Sequence, residues 1–467
     1  MGNSTEERLP LLGEPDGSDL KKRVWNESKK LWKIAFPGMV ARVTSFGMIV
    51  VTQLFLGHVS ELDLAAYGLQ QSILLRFANG ILIGMSSATE TLCGQAYGAG
   101  HYHMMGVYLQ RSWIIDGVTA TILLPLFILQ HPIEAGKISL WFIPILYYFV
   151  FSLTIQMYLQ AQQKNKIVGW FSASSFVVHV FLSWLFVMKL GFGLAGAMSA
   201  FIISSYLLVI GEFVYIFGGW CPNTWKGFTK AAFADMFPLI KLSISSGIMI
   251  CLELWYSSIL VLLAGYMKNA TVAISAFSIC LNINAWEFMI CLGFLGSSCV
   301  RVSNELGSGN AKAAKFSIMV ALGTSIIIGV IFWILCLIFS REISYLFTSS
   351  EEVAESVSSL HVLLAFSMLL NSVYPVLSGV AIGAGVQSTV AYVNLGSYYA
   401  IGVPVGILLG YVAHLQVTGL WIGLLSGVVV QTLLLSYLTW KIDWNEQLQL
   451  QPWKIPRTCQ KSLWQNC

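Results

Sequence analysis

The strongest constraint on this chain is a segment written twice. The first copy runs Gly84-Met-Ser-Ser-Ala-Thr-Glu90-Thr-Leu-Cys-Gly-Gln95-Ala-Tyr-Gly98-Ala-Gly100, and the second runs Gly293-Phe-Leu-Gly-Ser-Ser-Cys-Val-Arg301-Val-Ser-Asn304-Glu-Leu-Gly307-Ser-Gly309, at an offset of 209 residues. At that offset Gly84, Gly98 and Gly100 meet Gly293, Gly307 and Gly309, and Gln95 meets Asn304. A helix that ends in the same Gly-x-Gly turn in both halves implies a duplicated fold with two lobes built alike.

Only 10% of the residues are charged and 56% are hydrophobic, against ~25% charged in a soluble globular chain. Apolar stretches of about 20 residues, enough to cross a bilayer core as helix, recur at 32–58, 66–92, 108–130, 139–162, 168–190, 193–217, 237–264, 270–300, 314–339, 357–385, 387–413 and 416–440. The pattern predicts an all-α membrane protein of twelve transmembrane helices. A polar break around Pro222, Lys226 and Lys230 divides it into an N-terminal arm (1–31), an N-lobe (32–217), a linker (218–236), a C-lobe (237–440) and a tail (441–467).

Placing the N-terminus in the cytoplasm puts 20 of the 26 Lys and Arg residues on that side. Only Lys137, Lys189, Lys268 and Arg341 fall opposite, and Arg42 and Arg76 fall inside spans, so both termini are expected to be cytoplasmic. Six spans per half make the lobes parallel repeats, related by a pseudo-two-fold along the membrane normal. Pro37 in span one and Pro238 in span seven, and the runs Gly193-Leu-Ala-Gly-Ala and Gly419-Leu-Trp-Ile-Gly, read as further echoes.

The arm from Met1 to Lys30 has no apolar core of a signal peptide, so span one is expected to anchor the chain. Within it Glu7-Arg-Leu-Pro-Leu11-Leu12 resembles an acidic dileucine sorting signal read by adaptor proteins. The nine cysteines include no Cys-x-x-Cys pair, and no Walker A, His-Glu-x-x-His or nucleophile-elbow motif occurs. An enzyme, a metal site, a nucleic-acid partner and ATP-driven transport by this chain alone are not expected.

Chemistry then rests on ionisable groups at bilayer depth, where an unpaired charge costs about 3 kcal/mol or more. These are Arg42, Arg76, Glu90, Asp116, Glu253 and Glu287, with Glu212, His179, His361 and His414 nearer span ends. Glu253 lies deepest, about four turns into span seven, with Tyr256 and Ser257 one turn on along the same face. A carboxylate there can hold a proton in one state and release it in another, which is what coupling to a proton gradient requires. The bland alternative is a satisfied helix–helix hydrogen bond.

Several strings resemble those of plant multidrug and toxic compound extrusion (MATE) transporters, also called DETOXIFICATION proteins. They are the two repeat copies, Pro375-Val-Leu-Ser-Gly379-Val-Ala-Ile-Gly-Ala-Gly385-Val-Gln387, Leu252-Glu253-Leu-Trp255-Tyr256, and Tyr398-Tyr-Ala-Ile-Gly402-Val-Pro404-Val-Gly406. The likeness covers residues 31–440. It implies a V-shaped pair of six-helix lobes working as a monomer, with no cofactor beyond the ion gradient. Such a protein exports small organic substrates from the cytosol by antiport with protons or sodium. For plant members it implies protons, and secondary metabolites such as flavonoids, alkaloids, hormones or organic acids. The dileucine signal favours the vacuolar membrane, with the plasma membrane second.

Carried over by resemblance, Glu253 falls on the acidic cation-coupling position of span seven. The companion position in span ten, often Asp in the family, is Asn371, and Tyr374 stands where many relatives have Gln. Asn371 cannot titrate, and is expected to hydrogen-bond Glu253 through its amide. Asn282, Trp286 and Glu287 of span eight, with Tyr256 and Tyr374, are candidates to line the substrate cavity. Span one lacks the N-lobe carboxylate of some prokaryotic relatives, which leaves Glu90 and Asp116 as N-lobe candidates.

Pro37 and Pro404, the latter between Gly402 and Gly406, break the helical ladder and are either hinges or fixed kinks. Arg301, Asn304 and Glu305 sit at a helix end as either a polar latch or a solvated turn. A lipid-linked substrate flippase of the wider superfamily stays open as an alternative, though only Arg42 and Arg76 could serve its pyrophosphate, and so does sodium coupling. A major-facilitator carrier is disfavoured because the loop after span two reads Gly94-Gln-Ala-Tyr-Gly-Ala-Gly.

Overall fold

A computed structural model describes residues 20–129, 136–267, 270–339, 342 and 351–449. Twelve long helices account for most of them: α1 Leu20–Gly57, α2 61–98, α3 Tyr102–Ile128, α4 Phe142–Ala161, α5 Asn165–Lys189, α6 Gly193–Trp220, α7 Phe237–Ala264, α8 Ala270–Gly307, α9 Ala311–Ile338, α10 His361–Ala384, α11 Gln387–Val412 and α12 Gln416–Lys441. Each of the twelve expected spans maps onto one of them. Eleven are long and apolar enough to cross a membrane. The other, α2, carries Arg76, Asn79, Glu90 and Gln95 and is interrupted by a wide π-helical turn at Gln71–Leu75. The sorting-signal candidate at Glu7 to Leu12 and the tail beyond Gln449 lie outside the described residues.

Both copies of the repeat fold as expected, and for a physical reason. After α2, Gly100 adopts φ +78° while His101 N–H donates to Ala96 O at 2.9 Å; after α8, Gly309 adopts φ +84° while Asn310 N–H donates to Glu305 O at 2.8 Å. These are glycine-terminated helix ends, in which a left-handed residue lets the chain turn back onto the last carbonyls. Asn310 then caps α9 by accepting from Ala313 N–H at 3.0 Å.

Helices α1–α6 enclose one apolar core, around Tyr67, Phe127, Phe142 and Leu146. Helices α7–α12 enclose another, around Tyr256, Phe277, Tyr398 and Trp421. In lipid such cores depend on close packing rather than on expelling water, so small residues matter. Between α11 and α12, Gly402, Gly406 and Gly410 are arrayed against Gly419, Gly423 and Gly427; a Cβ on Gly423 would lie 2.3 Å from the Gly406 Cα. Pro404 sits in a short α-helical stretch, Val403–Ile407, between two π-helical segments, Leu395–Gly402 and Leu408–Val412. Pro37 lies inside the uninterrupted α1, with Gly169 of α5 making room for it.

The lobes meet through α1 against α8, α2 against α7, and α2 across α8. Gly84 abuts Gly247 of α7, where a Cβ would lie 2.4 Å from the Gly247 Cα, and Gly293 abuts Gly38 and Met39 of α1. Gly38 and Gly247 are 209 residues apart, as are Gly84 and Gly293, so the two seams are the same contact repeated. That equivalence corrects one expected echo. Pro37 corresponds to Ser246, while Pro238 sits in the first turn of α7, where a proline costs no hydrogen bond.

Helix α1 also begins at Leu20, earlier than the arm boundary at residue 31 suggests. Glu27 and Leu31 are buried, and Glu27 Oε1 accepts from Arg301 Nε at 2.8 Å. The end of the arm is therefore part of the interface between the lobes.

Candidate functional site

The C-lobe gathers its polar groups from α7, α8 and α10. Pro375 has no N–H, and α10 breaks at Ser372–Val373, between Asn371 and Tyr374. The Ser372 carbonyl, buried at the break, accepts from Ser325 Oγ of α9 at 2.6 Å, which makes the break tolerable inside the lobe. The break directs two neighbouring side chains to different carboxylates.

Tyr374, 6% exposed, donates its hydroxyl to Glu253 Oε1 at 2.7 Å and stacks on Phe288. Asn371 donates to Glu287 Oε2 at 3.1 Å and to Asn284 Oδ1 at 2.9 Å. Ser367 donates to the same Asn284 oxygen at 2.9 Å, and Cys291 Sγ donates to the other Glu287 oxygen at 2.9 Å. The expected Asn371–Glu253 pair is thus replaced by Tyr374–Glu253 and Asn371–Glu287. Glu253 is half-buried, and its Oε2 takes no hydrogen bond among the described residues.

Other expected positions fall differently. Tyr256 follows Glu253 by one turn but is 3% exposed, stacks on Tyr398 at 4.4 Å, and donates to Gly423 O at 2.8 Å. Gly402 and Gly427 make room for its hydroxyl. It is a packing residue between α7, α11 and α12 rather than a cavity wall. Asn282 is exposed, with no tie to the Glu253 group among the described residues. Trp286, 38% exposed, crosses the seam to Phe46 of α1 with ring centroids 4.9 Å apart. On the other seam Trp255 of α7 stacks on Phe77 of α2 at 5.2 Å. Phe46 with Trp255, and Phe77 with Trp286, are again 209 residues apart, so both seams carry one phenylalanine–tryptophan pair.

The two N-lobe candidates part company. Asp116 is fully buried between α2 and α3 and accepts from Ser86 Oγ at 2.6 Å. Glu90, one turn along α2 from Ser86, lies instead against Cys299 of α8, where the Arg42 guanidinium also acts on it. Glu212 of α6 is fully buried, with neither carboxylate oxygen in a hydrogen bond among the described residues; its position near a span end hid that depth.

One end of the lobe interface is sealed by the repeat itself. Gln95 donates to Gly383 O at the end of α10, 3.1 Å, and its counterpart Asn304 reaches Ala161 O at the end of α4, 3.5 Å. Thr91 donates to Ile382 O at 2.7 Å and accepts from Gln387 at 2.9 Å. Arg301 lies between Glu27 and Glu305, at 2.8 and 2.6 Å, with all three largely buried. The latch suggested by Arg301 and Glu305 thus exists, and its third member, Glu27, comes from 274 residues upstream.

A two-lobed, twelve-helix protein with this seal and this acidic C-lobe agrees with the family comparison: the MatE model matches residues 37–185 and 246–408. The chain belongs to the plant MATE, or DETOXIFICATION, family. Protein DETOXIFICATION 24 of Arabidopsis thaliana is 54% identical over 454 residues, 95% of this chain and 89% of the relative. Protein DETOXIFICATION 25 of the same plant is 53% identical over 460 residues, 96% and 91%. The crystal structure of the eukaryotic MATE transporter AtDTX14 superposes with a TM-score of 0.86 at 31% identity, covering 94% of this chain and 99% of that one. A MATE crystal structure in the bent conformation, at 16% identity and a TM-score of 0.79 over 92% of this chain and 98% of that one, shares the fold.

As a MATE efflux transporter, the protein needs a path that opens between the lobes. In this structure the lobes are held together at the end where α2 and α8 cross.

Proposed function

We propose that the chain is a proton-driven antiporter, exporting organic compounds from the cytosol by alternating access between its lobes. The observation that carries this reading is Glu253. One oxygen is held by Tyr374, the other has no hydrogen-bond partner among the described residues, and the group lies well inside α7. A proton and a substrate donor then compete for the same oxygen, and that competition converts a proton gradient into export. Glu287, buried and clamped by Asn371 and Cys291, is the second acidic group of the C-lobe.

With the N-terminus in the cytoplasm, as the Lys and Arg distribution favours, the Gly98 and Gly307 helix ends are cytoplasmic, and the protein is closed to the cytosol. Loading a vacuole and exporting from the cell are then the same reaction across different membranes, with the vacuolar membrane favoured. Both lobes belong to one polypeptide, so a monomer suffices, and the proton gradient is its only energy source.

The test is flux of a fluorescent organic cation in proteoliposomes under an imposed pH gradient, comparing the native chain with Glu253→Gln. Gradient-driven flux lost in the variant supports the reading. Equal flux in both, or flux that follows sodium instead, overturns it.

A further inference from the structure

Ala35, Gly38, Met39, Arg42 and Phe46 follow one another at helical spacing and share a face of α1. Along that face Ala35, Gly38 and Met39 touch Gly293 of α8, and Phe46 meets Trp286 of α8. Arg42, between these contacts, therefore faces the opposite lobe. It is half-buried, with Glu90 and Tyr148 as its nearest ionisable neighbours. It forms neither an ion pair nor a hydrogen bond among the described residues, and Glu90 keeps Oε1 unpartnered.

A guanidinium does not escape burial by losing its proton, and five unmet donors at bilayer depth are costly unless an acceptor arrives. At the repeat offset Arg42 corresponds to Cys251, two residues before Glu253. Arg42 and Glu253 thus stand at similar depth on helices that the pseudo-two-fold relates, one on each lobe. The Phe46 and Trp286 rings lie one turn from Arg42, ready to pack against a planar substrate.

We infer that Arg42 binds the carboxylate end of an amphoteric aromatic substrate whose ammonium end is taken by Glu253. The inference rests on the role given to Glu253 in the proposed antiport. A proton arriving at Glu253 displaces the donor end alone, which keeps proton and substrate antagonistic even though the substrate also bears an acidic group. The planar guanidinium fork suits a carboxylate.

The test is equilibrium binding to the purified full chain near neutral pH, without a gradient, using three probes: para-aminomethylbenzoate, para-aminomethylbenzamide and para-methylbenzoate. The native chain is expected to bind the zwitterion about tenfold more tightly than the amide, one good charge-assisted contact. Arg42→Gln should abolish that ratio and leave the amide unchanged. Glu253→Gln should weaken both amine-bearing probes and spare para-methylbenzoate. No preference in the native chain, or an unchanged ratio in Arg42→Gln, overturns the inference. Should Arg42→Gln not fold, Arg42→Lys decides: it keeps the charge but loses the fork, so the ratio must fall several-fold, and an unchanged ratio is again fatal. Intact ratios with no gradient-driven flux would instead remove only the antiport reading.

Discussion

Gly94 and Ser303 hold the same place in the two copies of the repeat, and they face each other: a Cβ on Gly94 would lie 2.0 Å from Ser303 Oγ. Glu90 and Cys299, one turn earlier, are paired in the same way. A residue meets its own counterpart only on a two-fold axis, so α2 and α8 cross where the pseudo-symmetry axis runs. The reciprocal fit of Gly98 against Asn304 O, and of Gly307 against Gln95 O, follows from that crossing.

That fit predicts equal damage from two distant substitutions. In Gly98→Ala and Gly307→Ala the new methyl lies 2.0 and 2.1 Å from a backbone carbonyl oxygen of the other lobe, which cannot yield as a side chain would. Each should prop the sealed end open and cut transport at least tenfold while leaving both lobes folded. Spin-label distances across that end, together with flux, check this; a normal distance distribution in either variant refutes it.

Removing Arg301 should be worse than removing Glu27. Breaking a buried ion pair costs about 3–5 kcal/mol, and Arg301→Met strands two carboxylates where Glu27→Gln leaves the Arg301–Glu305 contact. The expected order of sealed-state population is native, Glu27→Gln, Arg301→Met. It can be read from the alkylation rate of a cysteine placed at Ala161.

Coupling energies should follow the hydrogen bonds rather than the family positions. A double-mutant cycle of Asn371→Ala with Glu287→Gln should give a coupling of about 1 kcal/mol or more, and Asn371→Ala with Glu253→Gln a smaller one. Thermal unfolding in detergent supplies the four stabilities. The reverse order would mean that Asn371 serves Glu253 after all.

The two aromatic seams should be energetically alike. Phe46→Ala with Trp286→Ala, and Phe77→Ala with Trp255→Ala, should each show a coupling of about 0.5–1.5 kcal/mol beyond lost area. The same unfolding measurement applies. Coupling confined to one seam would show that only one pair closes in the membrane.

Much of this architecture is legible along the chain because a duplication marks itself at a constant offset. The offset of 209 places α2 on α8 and Gln95 on Asn304. What one sequence conceals is facing. Tyr256 is one turn from Glu253, yet it points into a groove made by Gly402 and Gly427, far away in the chain. Asn371 and Tyr374 read as neighbours on one helix until Pro375 breaks it and sends each to a different carboxylate. Glu27 looks like part of a charged arm, because its partner Arg301 comes 274 residues later. Pro37 and Pro238 mislead for a related reason: proline is common near helix starts as well as within membrane helices, so a shared residue type is not a shared position.

The crossing on the axis also explains why the lobes profit from being one polypeptide. Two identical subunits meeting there would each present the same side chain. Serine would oppose serine in a space where Gly94 alone fits, or one carboxylate would face another at Glu90. Fusion lets each side of the axis mutate by itself, and the chain has used that freedom to set glycine against serine and a lone acid against a thiol.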